Sequence, residues 1–80
     1  MGERYPPLDQ TQVERILKSL KFSLKRKKGS HAHWEGYTKG KRRIVTVDEL
    51  KSKKEKYGPG LTSKMIQQSG LSKKEFYSYL

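Results

Sequence analysis

Two histidines one residue apart, His31 and His33, follow four consecutive cations and a small-residue turn in the stretch Lys25-Arg26-Lys27-Lys28-Gly29-Ser30-His31-Ala32-His33-Trp34. Imidazole exchanges a proton near neutral pH, and clustered ammonium and guanidinium groups hold a polyanion beside it. The combination suits chemistry on RNA. Cleavage there requires removal of the ribose 2′-hydroxyl proton, stabilisation of charge on the attacked phosphate and protonation of the leaving 5′ oxygen, and one imidazole can serve the first or third task. His31 is the candidate general base or acid, because the mouth of a turn keeps it reachable. Neighbouring cations favour the neutral ring that a base needs. Fixed donors for the phosphate are the side chains of Lys27, Lys28, Arg42 and Arg43 with the backbone amides of Gly29 and Ser30. The planar fork of arginine suits that task better than the point charge of lysine.

His33 lies about 6 to 7 Å further along the same strand face. It reads as a packed or hydrogen-bonded strand residue rather than a second acid-base group. A metal site built from the two histidines is not expected, since Glu35 is only the next alternate residue and no third ligand has suitable spacing. No cofactor is expected either.

Short elements must position these groups. Residues 1–9 read as a leader stiffened by Pro6 and Pro7, and residues 10–80 as a single small domain. Thr11-Gln12-Val13-Glu14 reads as a capping box, and Val13, Ile16, Leu17 and Leu20 then follow at helical spacing, which predicts a first helix over roughly 10 to 21. Its other face carries Glu14, Arg15, Lys18 and Lys21, so one apolar stripe must lie against something, and a sheet is the obvious candidate. From Phe22 the period changes to two. Phe22 and Leu24 share one face, Gly29-Ser30 turns into a strand from His31 to Tyr37, and Lys39-Gly40 turns into Ile44-Val45-Thr46-Val47. The residues from Asp48 to Lys56 are mostly charged, with Leu50 as their apolar anchor, and read as a solvated connection. Leu61, Met65 and Ile66 predict a second helix from about 61 to 69, closed by Gly70. Ser72-Lys73-Lys74-Glu75 is a further capping box opening a short last helix, with Phe76, Tyr77 and Leu80 as its buried candidates. The fold class is α+β in the order α-β-β-β-α-α, a three-stranded antiparallel sheet packed against two helices. Trp34, Leu61, Met65, Ile66 and Phe76 are expected in the core.

Nineteen Lys and Arg against eight Asp and Glu give a formal charge of +11 in 80 residues, and twelve of those cations with only four acids fall between residues 22 and 56. A field of that kind steers polyanions. A chain this short supports one core of a few kcal/mol net stability, so a partner would help it. The absence of cysteine excludes a disulfide, a thiolate nucleophile and a thiolate zinc site, and fits a reducing cytoplasm. No apolar run approaches the roughly 20 residues that span a bilayer, and Met1 to Pro7 lacks the apolar stretch of a signal peptide. A cytoplasmic location with no membrane partner is expected.

Several stretches resemble the HicA family of bacterial toxin ribonucleases: the amphipathic helix ending in Leu20-Lys21-Phe22, the strand and turn Lys27 to His31, the basic strand Arg42 to Val47, and the segment Gly60 to Ser72. The Gly-Ser-His triplet alone is a weak signal, but the order and spacing of all the parts is stronger. The resemblance implies a double-stranded-RNA-binding-domain-like fold, an mRNA-cleaving endoribonuclease (mRNA interferase) that depends on His31, and a neutralising HicB-like antitoxin as protein partner. Any oligomer is then expected only through the antitoxin complex. The chain departs from the pattern after Val47, where Asp48-Glu49-Leu50 replaces the usual Pro and second His, and at His33, where the family commonly has an aliphatic residue.

Two other readings fit the same residues. A non-catalytic RNA-binding module would use the basic strands to read shape and phosphates, and an adaptor would hold an acidic protein on the basic sheet face. DNA reading in a major groove finds no helix with the Arg, Asn and Gln cluster it needs, Ser63, Lys64, Gln67 and Gln68 being ordinary surface residues. Tyr37 is either a base-stacking platform or a strand-end residue, and Lys51, Lys53, Lys54 and Lys56 read as a solvated run.

Overall fold

The computed structural model describes residues 5–80; the reading of residues 1–4 as part of a leader lies outside the described residues. Helix α1 spans Gln10–Ser19, strands β1, β2 and β3 span Ser23–Lys28, His31–Thr38 and Lys41–Asp48, and helices α2 and α3 span Pro59–Ser69 and Lys73–Ser78. The sheet is an antiparallel meander in the order β1-β2-β3, as the change of period predicts.

Caps fix the helix starts. Asp9, not Thr11, is the N-cap of α1: its carboxylate accepts the Gln12 N–H at 2.8 Å while the Gln12 side chain accepts the Asp9 N–H at 3.0 Å. The Thr11 to Glu14 pattern has the same spacing but lies inside the first turn, so the sequence signal was displaced by two residues. In α3 the expected box forms, with Ser72 accepting from Glu75 N–H and Glu75 from Ser72 N–H. Helix α2 begins at Pro59, whose fixed φ suits the first turn, and stops at Gly70, which takes φ +75.

One face of the sheet is covered. Ala32, Trp34, Val45 and Val47 join Val13, Ile16 and Leu17 of α1, Met65 and Ile66 of α2, Phe76 of α3, and Leu8, Phe22 and Tyr57 from the connections in a single cluster. Leu8, which falls within the expected leader, is completely buried there. Gly36 is where β2 admits the Phe22 ring: a Cβ at that position would stand 2.3 Å from Phe22 Cδ1. Leu61, expected in the core, is 41 % exposed, because α2 buries Thr62, Met65, Ile66 and Ser69 and Leu61 stands off that stripe. Leu80 is exposed as well. Leu24 is exposed at the edge next to a register break between Leu24 and Arg26, so it does not share the burial of Phe22.

Helix α2 lies along β3, and Gln68 Oε1 accepts the Thr46 N–H at 2.9 Å. The connection after β3 is anchored rather than merely solvated. Gln10 Oε1 accepts the Leu50 N–H, Lys56 pairs with Asp9, and Tyr57 closes the segment in the core.

Candidate active site

The site grows from two hairpin turns. Gly29 takes φ +59 at the first loop position of β1–β2, the arrangement of a II′ turn, and Lys39 and Gly40 both take positive φ in the I′ arrangement between β2 and β3. A two-residue loop fixes register. Thr38 stands opposite Lys41, and counting back along both strands places His31 opposite Asp48 without a break.

His31 Nδ1 and Asp48 Oδ1 are 2.6 Å apart. An ionised carboxylate only accepts, so the Nδ1–H donates to it and Nε2 is the ring nitrogen left to meet a substrate. The imidazole is 58 % exposed and the Asp48 side chain 33 %, so the pair sits at the surface with the carboxylate the more shielded member. Asp48 is in turn held by its backbone: the Tyr57 hydroxyl donates to the Asp48 carbonyl at 2.6 Å. Burial first, then the carboxylates of Glu14 and Asp48, push the Tyr57 hydroxyl well above its ordinary range, so it remains a donor. The turn itself is clasped from the same side, with Glu49 N–H donating to Ser30 O at 2.7 Å and Lys27 Nζ donating to the Glu49 carboxylate.

Alternation sorts the expected phosphate donors. Lys28 stands opposite His31 on the same open face, and Gly29 and Ser30 adjoin it in the turn. Lys27 pairs with Ala32, which places it on the helix-covered side, and its ammonium is engaged by Glu49. Arg42 is on the open face but opposite Tyr37, about 20 Å from His31 by strand rise, and donates to Glu35. Arg43 lies on the face of Val45 and Val47, with its guanidinium against Gly70, where a Cβ would be 2.4 Å from Cζ. The structure thus brings Lys28, Gly29 and Ser30 beside His31, keeps Lys27 at the same end in an ion pair, and sets Arg42 and Arg43 apart. The period-two pattern that marks Val45 and Val47 as buried already put Arg43 on their side.

His33 shares the open face with His31, is half-buried, and has Nδ1 3.1 Å from Thr46 Oγ1. Among the described residues no three His, Cys, Asp or Glu side chains form a cluster fit for a metal ion. Asp48 and Tyr57 are the members of the site that sequence reasoning missed. The signal for Asp48 was present in the Lys39-Gly40 turn, whose length sets the pairing; Tyr57 follows a lysine-rich segment with no periodicity to mark it. The expectation that neighbouring cations favour the neutral ring is incomplete, since a carboxylate also lies against Nδ1.

Among the described residues no helix is long and apolar enough to cross a membrane. No curated protein matches the chain. The family model for the HicA toxin of bacterial toxin–antitoxin systems matches residues 11–71, from α1 through the whole sheet and α2 and including His31 and Asp48. With that match spanning most of its length on an α+β fold of the expected order, the chain belongs to the HicA toxin family.

Proposed function

We propose that the chain is an endoribonuclease that cleaves mRNA as the toxin of a toxin–antitoxin pair, and that a HicB-like antitoxin neutralises it in the cytoplasm. The observation that carries the reading is the oriented imidazole: His31 stands at the lip of the β1–β2 turn, its Nδ1 held by Asp48 and its Nε2 without a hydrogen-bond partner among the described residues, with Lys28 across the strand pair. Family membership supports the toxin role.

In this reading His31 Nε2 accepts the 2′-hydroxyl proton as the 2′ oxygen attacks the adjacent phosphorus. The P–O5′ bond breaks, and the 5′ oxygen takes a proton, so the products are a 2′,3′-cyclic phosphate end and a 5′-hydroxyl end. The imidazolium formed in the first step is stabilised by Asp48 and can return the proton to the leaving oxygen. Lys28 and the amides of Gly29 and Ser30 are the donors nearest to the developing phosphorane charge. Base, acid and phosphate donors all come from side chains and backbone in this scheme, so the reaction proceeds without a metal ion.

The test is induction in a bacterial host. Wild type is expected to arrest growth and degrade mRNA, co-expression of the cognate antitoxin to relieve both, and His31→Ala at equal soluble level to do neither. Arrest that persists with His31→Ala overturns the catalytic role, and leaves a binding module as the better description.

A further inference from the structure

The sheet face opposite the helices is left uncovered by any described element, and it is not uniformly polar. His31, His33, Glu35 and Tyr37 line β2 on that side, with Arg26 and Lys28 on β1 and Arg42, Ile44 and Thr46 on β3. Tyr37 is 70 % exposed and Ile44 45 %, on the middle and outer strand of an open sheet rather than at a chain end. Between them and the basic edge runs a groove of about 390 Å³ lined by Lys25, Arg26, His33, Glu35, Arg42 and Ile44.

We propose that this open face is a binding track for an unpaired RNA segment, with bases resting on Tyr37 and Ile44 and phosphates held along β1 by Lys25, Arg26 and Lys28. The proposal rests on the ribonuclease reading for the position of the cut bond at His31, and extends it by about 20 Å along β2 to Tyr37. Three observations favour RNA without a complementary strand. Tyr37 and Ile44 offer π and apolar area, which a duplex with its bases stacked inside has nothing to match and an unstacked base does. The unpaired cations line one side only, as a single backbone requires: Lys25, Arg26 and Lys28 of β1 have no carboxylate partner among the described residues, whereas Arg42 on β3 is paired with Glu35. Glu35, the one acid inside the groove, is neutralised by Arg42, so the floor does not repel phosphate. The other charged group at the track's end, Asp48, is engaged with His31.

The experiment measures binding by fluorescence anisotropy on the full chain carrying His31→Ala, so that the probe survives. The probe is a labelled unstructured oligoribonucleotide of a dozen residues, compared with the same strand annealed to its complement and with one carrying abasic sites at its centre. Single-strand binding is expected to be roughly tenfold tighter than duplex binding, and Tyr37→Thr with Ile44→Thr to lose a similar factor. The threonines keep strand propensity at exposed positions, so an unchanged melting temperature accompanies the loss. Tyr37→Phe restores the stacking share. Arg26→Gln lowers the slope of log affinity against log salt by about 0.7. The abasic probe binds the starting chain as weakly as the intact probe binds the double variant.

Equal affinity for duplex and single strand, or indifference to Tyr37→Thr and Ile44→Thr, overturns the track. So does a face whose substitutions leave RNA binding unchanged and instead release the antitoxin, which would make it a protein interface. Wild-type cleavage of the same oligonucleotide, run in parallel, separates the two claims. Cleavage that needs His31 but ignores Tyr37 and Ile44 removes the track alone, whereas binding that needs Tyr37 and Ile44 without cleavage keeps the track and removes the ribonuclease reading.

Discussion

Replacing Asp48 by Asn removes the charge that holds His31 while keeping the size of the side chain. A hydrogen bond to a charged group contributes about 1.5 to 3 kcal/mol. With the imidazole 58 % and the carboxylate 33 % exposed, water screens part of that, and about 1 to 1.4 kcal/mol remains. If that energy is expressed in the transition state, where the imidazole carries a full charge, it corresponds to roughly a five- to tenfold fall in the cleavage rate. The loss of about 10⁴-fold known for a buried triad aspartate is not expected, because here the ring is open to water, which can solvate the imidazolium. The assay is single-turnover cleavage of a labelled oligoribonucleotide, with affinity measured separately. The fall should lie in the rate constant, with affinity unchanged or slightly tighter for want of one anion, and Asp48→Glu should recover part of it. An unchanged rate, or a defect confined to affinity, would refute the orienting role.

Three further outcomes follow from the geometry. Gly36→Ala drives a Cβ to within 2.3 Å of the buried Phe22 ring, an overpacking cost of about 2 kcal/mol, so the thermal midpoint should drop by roughly 10 °C. Glu75, bound by the Ser72 N–H, by Lys39 and by the Ser72 hydroxyl, has its carboxyl lowered to about 2. Its contribution is therefore full above the ordinary value of 4.5 and is lost as pH falls toward 2, and Glu75→Gln should flatten that acid limb in denaturant midpoints taken across this window. Cleavage should be insensitive to a chelator, and activity abolished by EDTA and restored by a divalent ion would contradict the metal-free scheme.

What the sequence made legible is what depends on period and spacing. The apolar stripe Val13, Ile16, Leu17 and the alternation Ala32, Trp34 and Val45, Val47 located α1 and the covered sheet face, and the same alternation put His31 and His33 together on the other. Less legible were features where two patterns compete or none exists. Asp9-Gln12 and Thr11-Glu14 both satisfy capping spacing, and only the structure selects the first. Leu61 matched a helical repeat with Met65, yet a helix that starts at Pro59 turns it outward. Asp48 looked like the first residue of a charged connection because its partner is 17 residues back, and such pairing belongs to register rather than to local sequence. Arg42 and Arg43 were grouped by proximity in the chain, which a strand splits between two faces.

The most direct test of the account is cleavage of an unstructured, end-labelled RNA by the purified chain and by His31→Ala, with the product ends identified. Wild type should give fragments bearing 2′,3′-cyclic phosphate and 5′-hydroxyl ends, and a folded His31→Ala that still binds the RNA should leave it intact. Equal cleavage by both, or no cleavage by either, would contradict the account.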